Sequence, residues 1–314
     1  MIHTIRFSTV PIARDREYIF NTFKTVRDKN RRLVYVKNYK DLKMRYDIEY
    51  GRLLVTINLN KLLNKNSIID SDNAYVVYKY GTQFYELFDE ATELGTLNRI
   101  DYKADIVTEY KEVYIKLIKK TVLQYRSLIQ NARYKTSIYF NSKSYNINIY
   151  DKEQELKDKG NEILLSTYKD TIRFEVQLKR DKLYYMERRY GIIREELINY
   201  FSIMERNYYL LSTLRPIIYK GDYYSISKSR EILKSIYSKS MSEKLIDFQK
   251  SISKYGVTKT KESYSYSTFR NYIKKLEEAN INPIPIPKHD GIKYLPNLFD
   301  FNKLDISEEY ELAS

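Results

Sequence analysis

Tyr145-Asn146-Ile147-Asn148-Ile149-Tyr150 alternates apolar and polar side chains, and the charged run Asp151-Lys152-Glu153-Gln154-Glu155-Leu156-Lys157 follows at once. A β-strand sends successive side chains to opposite faces. Tyr145, Ile147 and Ile149 are therefore set against Asn146, Asn148 and Tyr150. The charged run has the composition of a short helix starting near Asp151. A half-buried strand delivered into a helix is the pattern from which the rest of the chain is read.

The same alternation recurs outward from this segment. In 97–106, Ile100, Tyr102, Ala104 and Ile106 oppose Arg99, Asp101, Lys103 and Asp105. In 171–178, Ile172, Phe174, Val176 and Leu178 oppose Thr171, Arg173, Glu175 and Gln177. In 52–60, Leu53, Val55, Ile57 and Leu59 oppose Arg52, Leu54, Thr56, Asn58 and Asn60. Helical spacing appears in 73–93, in 108–131 and from about 180 to 206. Strands and helices mix without a regular βαβ repeat, which predicts an α+β fold: a largely antiparallel central sheet with flanking helices. If the four strands are neighbours, their polar faces merge into one surface holding Asp101, Asp105, Glu175, Asn148 and Tyr150. One solvated face of an antiparallel sheet produces the same alternation, so the pattern alone leaves that surface without a role.

Composition narrows the classes. The chain of 314 residues carries 55 Lys and Arg against 41 Asp and Glu, a net charge of +14, which favours an anionic partner. There is no cysteine, which excludes disulfides, zinc-thiolate sites and thiol nucleophiles. No apolar run approaches the roughly 20 residues that span a bilayer, so a cytoplasmic chain without membrane contact is expected. Only His3 and His289 are present and no His-x-His pair exists, so any metal must sit on carboxylates and amides. That chemistry favours Mg²⁺ or Mn²⁺. The 34 tyrosines mean that no single one is singled out by rarity.

Residues 228–275 hold 12 Lys and Arg against four acids, a net of +8. Leu245, Phe248 and Ile252 mark one amphipathic helix ended by Gly256. Phe269, Tyr272, Ile273 and Leu276 mark another, with Ser267 as its expected N-cap. The pair resembles a helix-turn-helix with a long connection. On the second helix Arg270, Asn271, Lys274 and Lys275 are expected at the surface, where Arg and Asn can read base edges and Lys favours phosphate. Asn282-Pro283-Ile284-Pro285-Ile286-Pro287 must be extended. The expected division is 1–206 for the sheet half, 207–295 for the basic helical part and 296–314 for an acidic tail.

Three segments in order resemble a known family. Tyr145–Lys157 is similar to the active-site block of rolling-circle replication initiators, both the filamentous-phage family and its staphylococcal plasmid relatives, in which a strand ends in Tyr followed by a small polar residue, Lys and Glu. Leu97–Asp105 resembles the Arg-Leu-Asp-Leu strand upstream of that Tyr. Ile172–Arg180 resembles the Arg-x-Glu-x-x-Leu-Lys strand downstream. The resemblance covers roughly 50–190 and departs at Lys103, where relatives carry small or apolar residues. It implies a nickase in which Tyr150 attacks a DNA strand, Lys152 neutralises phosphate, and Asp101 and Glu175, with Asp105 less firmly placed, hold Mg²⁺ or Mn²⁺. Tyr145 is expected in the core, and Tyr139 is the rival nucleophile. Implied partners are origin DNA and a separate helicase, since the chain has no phosphate-binding Gly-rich loop; a homodimer is left open. The same chemistry serves conjugative relaxases and single-strand transposases, and a non-catalytic DNA-binding repressor could keep the scaffold.

Overall fold

Among the described residues the strands follow the chain as β1 (Ile2–Thr9), β2 (Lys24–Arg27), β3 (Leu33–Tyr39), β4 (Leu42–Asp47), β5 (Arg52–Asn58), β6 (Thr96–Val107), β7 (Gln124–Tyr125), β8 (Leu128–Asn131), β9 (Ser137–Asn141), β10 (Tyr145–Asp151) and β11 (Thr171–Lys179), with β12 (Tyr223–Tyr224) and β13 (Tyr294–Leu295) forming a separate pair. The helices of the first part are α1 (Ala13–Thr22), α2 (Leu59–Leu62), α3 (Asn73–Tyr85), α4 (Lys111–Lys119) and α5 (Lys152–Asp158). Those of the second are α6 (Arg180–Tyr190), α7 (Ile198–Phe201), α8 (Ile203–Leu214), α9 (Ile226–Ile236), α10 (Lys239–Glu262) and α11 (Tyr266–Glu278). This computed structural model describes residues 2–62, 73–121, 124–125, 128–131, 136–201 and 203–300. The acidic residues Asp305, Glu308, Glu309 and Glu311 lie outside them. The fold is α+β, with a large antiparallel sheet and flanking helices, as the alternation predicts.

Two units divide the chain, and neither is one contiguous stretch. The first comprises 1–103, 143–146 and 175–209; the second comprises 104–142, 147–174 and 210–314. The division 1–206, 207–295 and 296–314 follows proposed roles instead.

In the first unit the strand order is β2-β3-β4-β5-β1-β6, continued by its portions of β11 and β10. β1 pairs antiparallel with β5 and β6, setting Arg6 opposite both Thr56 and Arg99. Two register shifts interrupt the β1–β6 pairing, one at His3 and one at Asn98. The shift at Asn98 lets Leu97 join the buried face although strict alternation would put it beside Arg99. Ile5, Phe7, Val55, Ile57, Ile100 and Val176 are buried on that face. Tyr80 of α3 stacks on Phe7, ring centroids 5.1 Å apart.

In the second unit Ile138, Phe140, Ile147, Ile149, Ile172 and Phe174 form the buried strand face, with Tyr114, Leu117 and Ile118 of α4 also buried. The expected helix 108–131 is shorter: α4 ends at Lys119 and 124–125 and 128–131 are strands. The reason lies far along the chain. The carbonyl of Lys120 accepts from the Val257 N–H at 2.9 Å instead of continuing the helix. Val122 and Leu123 lie outside the described residues.

α10 kinks at Gly256, whose φ of 77° and ψ of 170° are non-helical. The expected break is therefore present, but a further helical turn follows before α11. The N-cap of α11 is Ser265, accepting from Thr268 N–H at 3.2 Å, and not Ser267, because the helix starts two residues earlier than the apolar pattern suggests. Phe248 gathers Tyr264, Phe269 and Tyr272, each centroid 5.4 Å away. The proline-rich segment is extended and buried, with Ile286 N–H bonded to the Tyr224 carbonyl at 3.0 Å.

Candidate functional site

In the first unit the polar strand face carries a charge cluster. Asp101, 4 % exposed, receives both arms of the Arg99 guanidinium, Nε to Oδ1 at 2.7 Å and Nη2 to Oδ2 at 2.5 Å. Residues i and i+2 of a strand share a face, so alternation alone places this pair together. Arg6, directly across from Arg99, turns its Nε to Thr56 Oγ1 at 2.9 Å. Like charges opposite each other are destabilising; Asp101 and Thr56 each take one guanidinium and offset that cost. Burial pushes the Asp101 carboxyl above its ordinary range, Arg99 opposes the shift, and the negative charge of Glu175 adds to it. Burial, then the charge of Arg99, lowers the pKa of Arg6. Gln177 bridges this cluster to Asn146. With its amide oxygen turned to Arg99 it accepts from Nη2 at 2.5 Å and Nε at 3.0 Å.

In the second unit the corresponding strand faces carry a second fork. Arg173, 2 % exposed, donates to Asp105 through Nε at 2.5 Å and Nη2 at 2.8 Å. Its guanidinium lies over the Tyr168 ring, 5.1 Å from the centroid. The Lys152 ammonium lies 5.6 Å from the same centroid and bonds Glu155 at 2.5 Å.

Tyr150 is half-buried at the end of β10, while Ile147 and Ile149 are fully buried. The segment that follows it is fixed at several points. Asp151 donates its N–H to the Thr136 carbonyl at 3.0 Å and caps α5 by accepting from Gln154 N–H at 3.0 Å. Lys111 of α4 reaches Glu153 at 2.6 Å and Asp151 at 3.3 Å. Glu153 also accepts from the Asp170 N–H at 3.1 Å.

Of the residues expected from sequence, Asp101 and Glu175 fall in the first unit, and Tyr150, Lys152 and Asp105 in the second. Asp105 is taken by Arg173 as a bidentate ion pair, which occupies both its oxygens. Tyr145 is half-buried and not in the core, because the apolar face of β10 closes only at Ile147. Tyr139, on β9 between buried Ile138 and Phe140, is half-buried like Tyr150. Sequence reasoning missed Lys111, Asp151 and Glu153 as the groups that fix the segment after Tyr150. Their signal was the Asp at the strand-to-helix junction, an N-cap residue in the right place.

On α11, Arg270, Asn271 and Lys274 are exposed, and Arg270 lies over the Tyr266 ring at 5.6 Å. Lys275 is half-buried over the Tyr237 ring at 5.1 Å, so it is less available than expected.

Among the described residues no group of three or more His, Asp or Glu is assembled as a metal site. The donor chemistry of Asp101 and Glu175 nevertheless fits a hard cation, which is commonly held by one or two carboxylates, with water and phosphate completing the shell. Arg99 would have to release Asp101 to admit it. Among the described residues no helix is long and apolar enough to cross a membrane. No model of a known protein family matches this chain, and no curated protein matches it either.

Proposed function

We propose that this chain is an intracellular DNA-nicking initiator of rolling-circle replication, with Tyr150 as nucleophile. One observation carries the reading: Tyr150 stands near the end of a strand whose alternate side chains are core, and Asp151 and Glu153 just after it are held by a cap, a lysine and a backbone bond. A nucleophile held so firmly suits in-line attack, where positioning supplies much of the rate. The Tyr150 oxygen forms a bond to a backbone phosphorus, the bond from phosphorus to the 3′ oxygen breaks, and that oxygen takes a proton to become a free 3′-hydroxyl primer. The 5′ end stays on the tyrosine, and reversal by a 3′-hydroxyl rejoins the strand without ATP.

Lys152 is assigned to neutralising the phosphate. Asp101 and Glu175 would hold Mg²⁺ or Mn²⁺, which when bound stabilises charge on phosphate oxygens. The basic helices α9–α11 are assigned to DNA contact through Arg270, Asn271 and Lys274. Strand separation is left to a helicase acting as a separate partner.

The test incubates the full chain and metal with single-stranded oligonucleotides tiling the replicon that encodes it. Digestion and mass spectrometry then map the peptide carrying DNA. Tyr150→Phe removes only a hydroxyl and is expected to abolish the adduct while preserving the fold. A normal yield from that variant moves the nucleophile to Tyr139. DNA binding with no adduct from the wild-type chain leaves the repressor reading.

A further inference from the structure

We propose that the outer face of α6 is a stacking platform for single-stranded DNA. The choice of DNA rests on the nicking reading above; the platform itself rests on this helix. Leu183 and Met186 are buried and anchor α6 in the first unit. At 100° per residue, Tyr184, Tyr185 and Arg188 fall together on the side away from those anchors, with Arg189 at its flank. All four are exposed, Tyr184 at 49 % and Tyr185 at 39 %.

The rings are held among cations. Arg188 and Arg194 both lie over Tyr184, at 5.7 and 5.5 Å from its centroid. Arg194 is in turn fixed by Glu187 at 2.7 Å. Lys182 lies over Tyr185 at 5.1 Å, and Tyr190 meets Tyr185 edge-on at 5.9 Å. Leaving these rings exposed to water is unfavourable unless something covers them. A protein partner would want a continuous apolar surface, and here each ring is flanked by a guanidinium or ammonium.

Single-stranded nucleic acid fits that alternation. Its bases present free faces to tyrosines and arginines, and its phosphates meet the cations between them. A duplex hides the base faces in its own stack. α6 also leaves β11 directly after Lys179, in the same unit as Glu175. A strand threaded along this face is thereby held by the helix that directly follows the strand carrying a proposed metal ligand.

The experiment measures anisotropy of labelled oligo-dT of about 16 nucleotides, matched duplex and matched oligo-rU with the full chain, from about 50 to 200 mM salt. Tyr184→Ala and Tyr185→Ala are each expected to weaken oligo-dT binding by about 5- to 100-fold. Tyr184→Phe and Tyr185→Phe, which keep the rings, are expected to bind within about twofold of wild type. Arg188→Ala with Arg189→Ala is expected to flatten the salt slope by about 0.7 per lost contact. Duplex affinity is expected to stay unchanged in the ring variants.

Unchanged oligo-dT affinity in both alanine variants overturns the platform. So does an equal loss on duplex, or phenylalanine variants as weak as the alanine ones. A preference for oligo-rU of more than about tenfold overturns the DNA assignment. If an alanine variant loses its cooperative melt, the arginine pair decides through the salt slope. Failure of the two readings is separable. Ring-dependent binding without an adduct removes the nicking assignment alone, and an adduct with indifferent ring variants removes the platform alone.

Discussion

Glu153 stands three residues past Tyr150, and its charge is what the surrounding groups recognise. Hydrogen bonds from Lys111 and Lys157, with the Asp170 N–H, lower its pKa from 4.5 to about 2. The folded state therefore binds this proton more weakly than the unfolded chain. Its stabilisation is complete above the ordinary value and is lost as pH falls through about 2. Glu153→Gln is expected to lower the melting temperature at neutral pH and to flatten its decline between about pH 4.5 and 2. Melting curves across that window check this; parallel curves for the two proteins would deny Glu153 the role. Asp101 behaves with the opposite sign. Its raised pKa means the folded state binds the proton more tightly, so acid relieves the buried charge. Arg99→Ala leaves that charge buried without its fork and is expected to cost about 3–5 kcal/mol in urea unfolding. The deficit should shrink as pH falls through the Asp101 pKa. That Arg99 and Asp101 share a face was legible from their i, i+2 spacing. That Arg6 stands opposite them was not, because cross-strand register is set by partners nearly a hundred residues away in the chain.

At the scale of elements, Gly256 divides a helix that the apolar pattern of Leu245, Phe248 and Ile252 reads correctly up to that point. Its backbone, with φ of 77° and ψ of 170°, belongs to a region essentially reserved for glycine. An added Cβ would also come within 3.3 Å of the Lys120 carbonyl oxygen, the acceptor for Val257. Gly256→Ala is expected to destabilise the chain by about 1–3 kcal/mol, measured by urea unfolding, with no change in the slope. A neutral result would mean that the kink is not needed. The strands 52–58, 96–107, 145–151 and 171–179 were legible because period-2 alternation is a local signal. The bulge at Asn98 was not, since nothing in Leu97-Asn98-Arg99 marks an inserted residue. The early end of α4 was not legible either, because Lys120 is claimed by Val257 of a distant helix.

For the whole molecule, the net charge of +14 predicts salt-sensitive association with nucleic acid. Lys274→Ala should reduce the salt slope on duplex DNA by about one unit, while Lys275→Ala, half-buried against Tyr237, should change it less. Equal slopes for all three proteins would remove α11 from the interface. A fragment ending at residue 206 is expected to melt with a smaller unfolding enthalpy per residue than the full chain, because its second unit is left incomplete. Tyr114 bonds the Pro296 carbonyl at 2.8 Å and meets Tyr223 edge-on at 5.8 Å, and Lys120 bonds the Ser253 carbonyl at 2.8 Å, all within the second unit. Calorimetry of that fragment checks the point, and an unchanged enthalpy per residue would contradict it.

The interleaving of the two units also sets a timetable for synthesis. The first unit contains Glu175–Tyr209 as well as the opening strand. At about 5–20 residues per second, its last segment leaves the ribosome roughly 10 to 40 s after translation begins. Until then β6 has β1 on one side but lacks β11 on the other, and Tyr102 lacks Tyr200, to whose carbonyl it bonds, and Tyr209, on which it stacks. A chain built in this way cannot finish its amino-terminal half early. The edge of β6 that β11 will cover stays open for the whole time that residues 108–174 are being made.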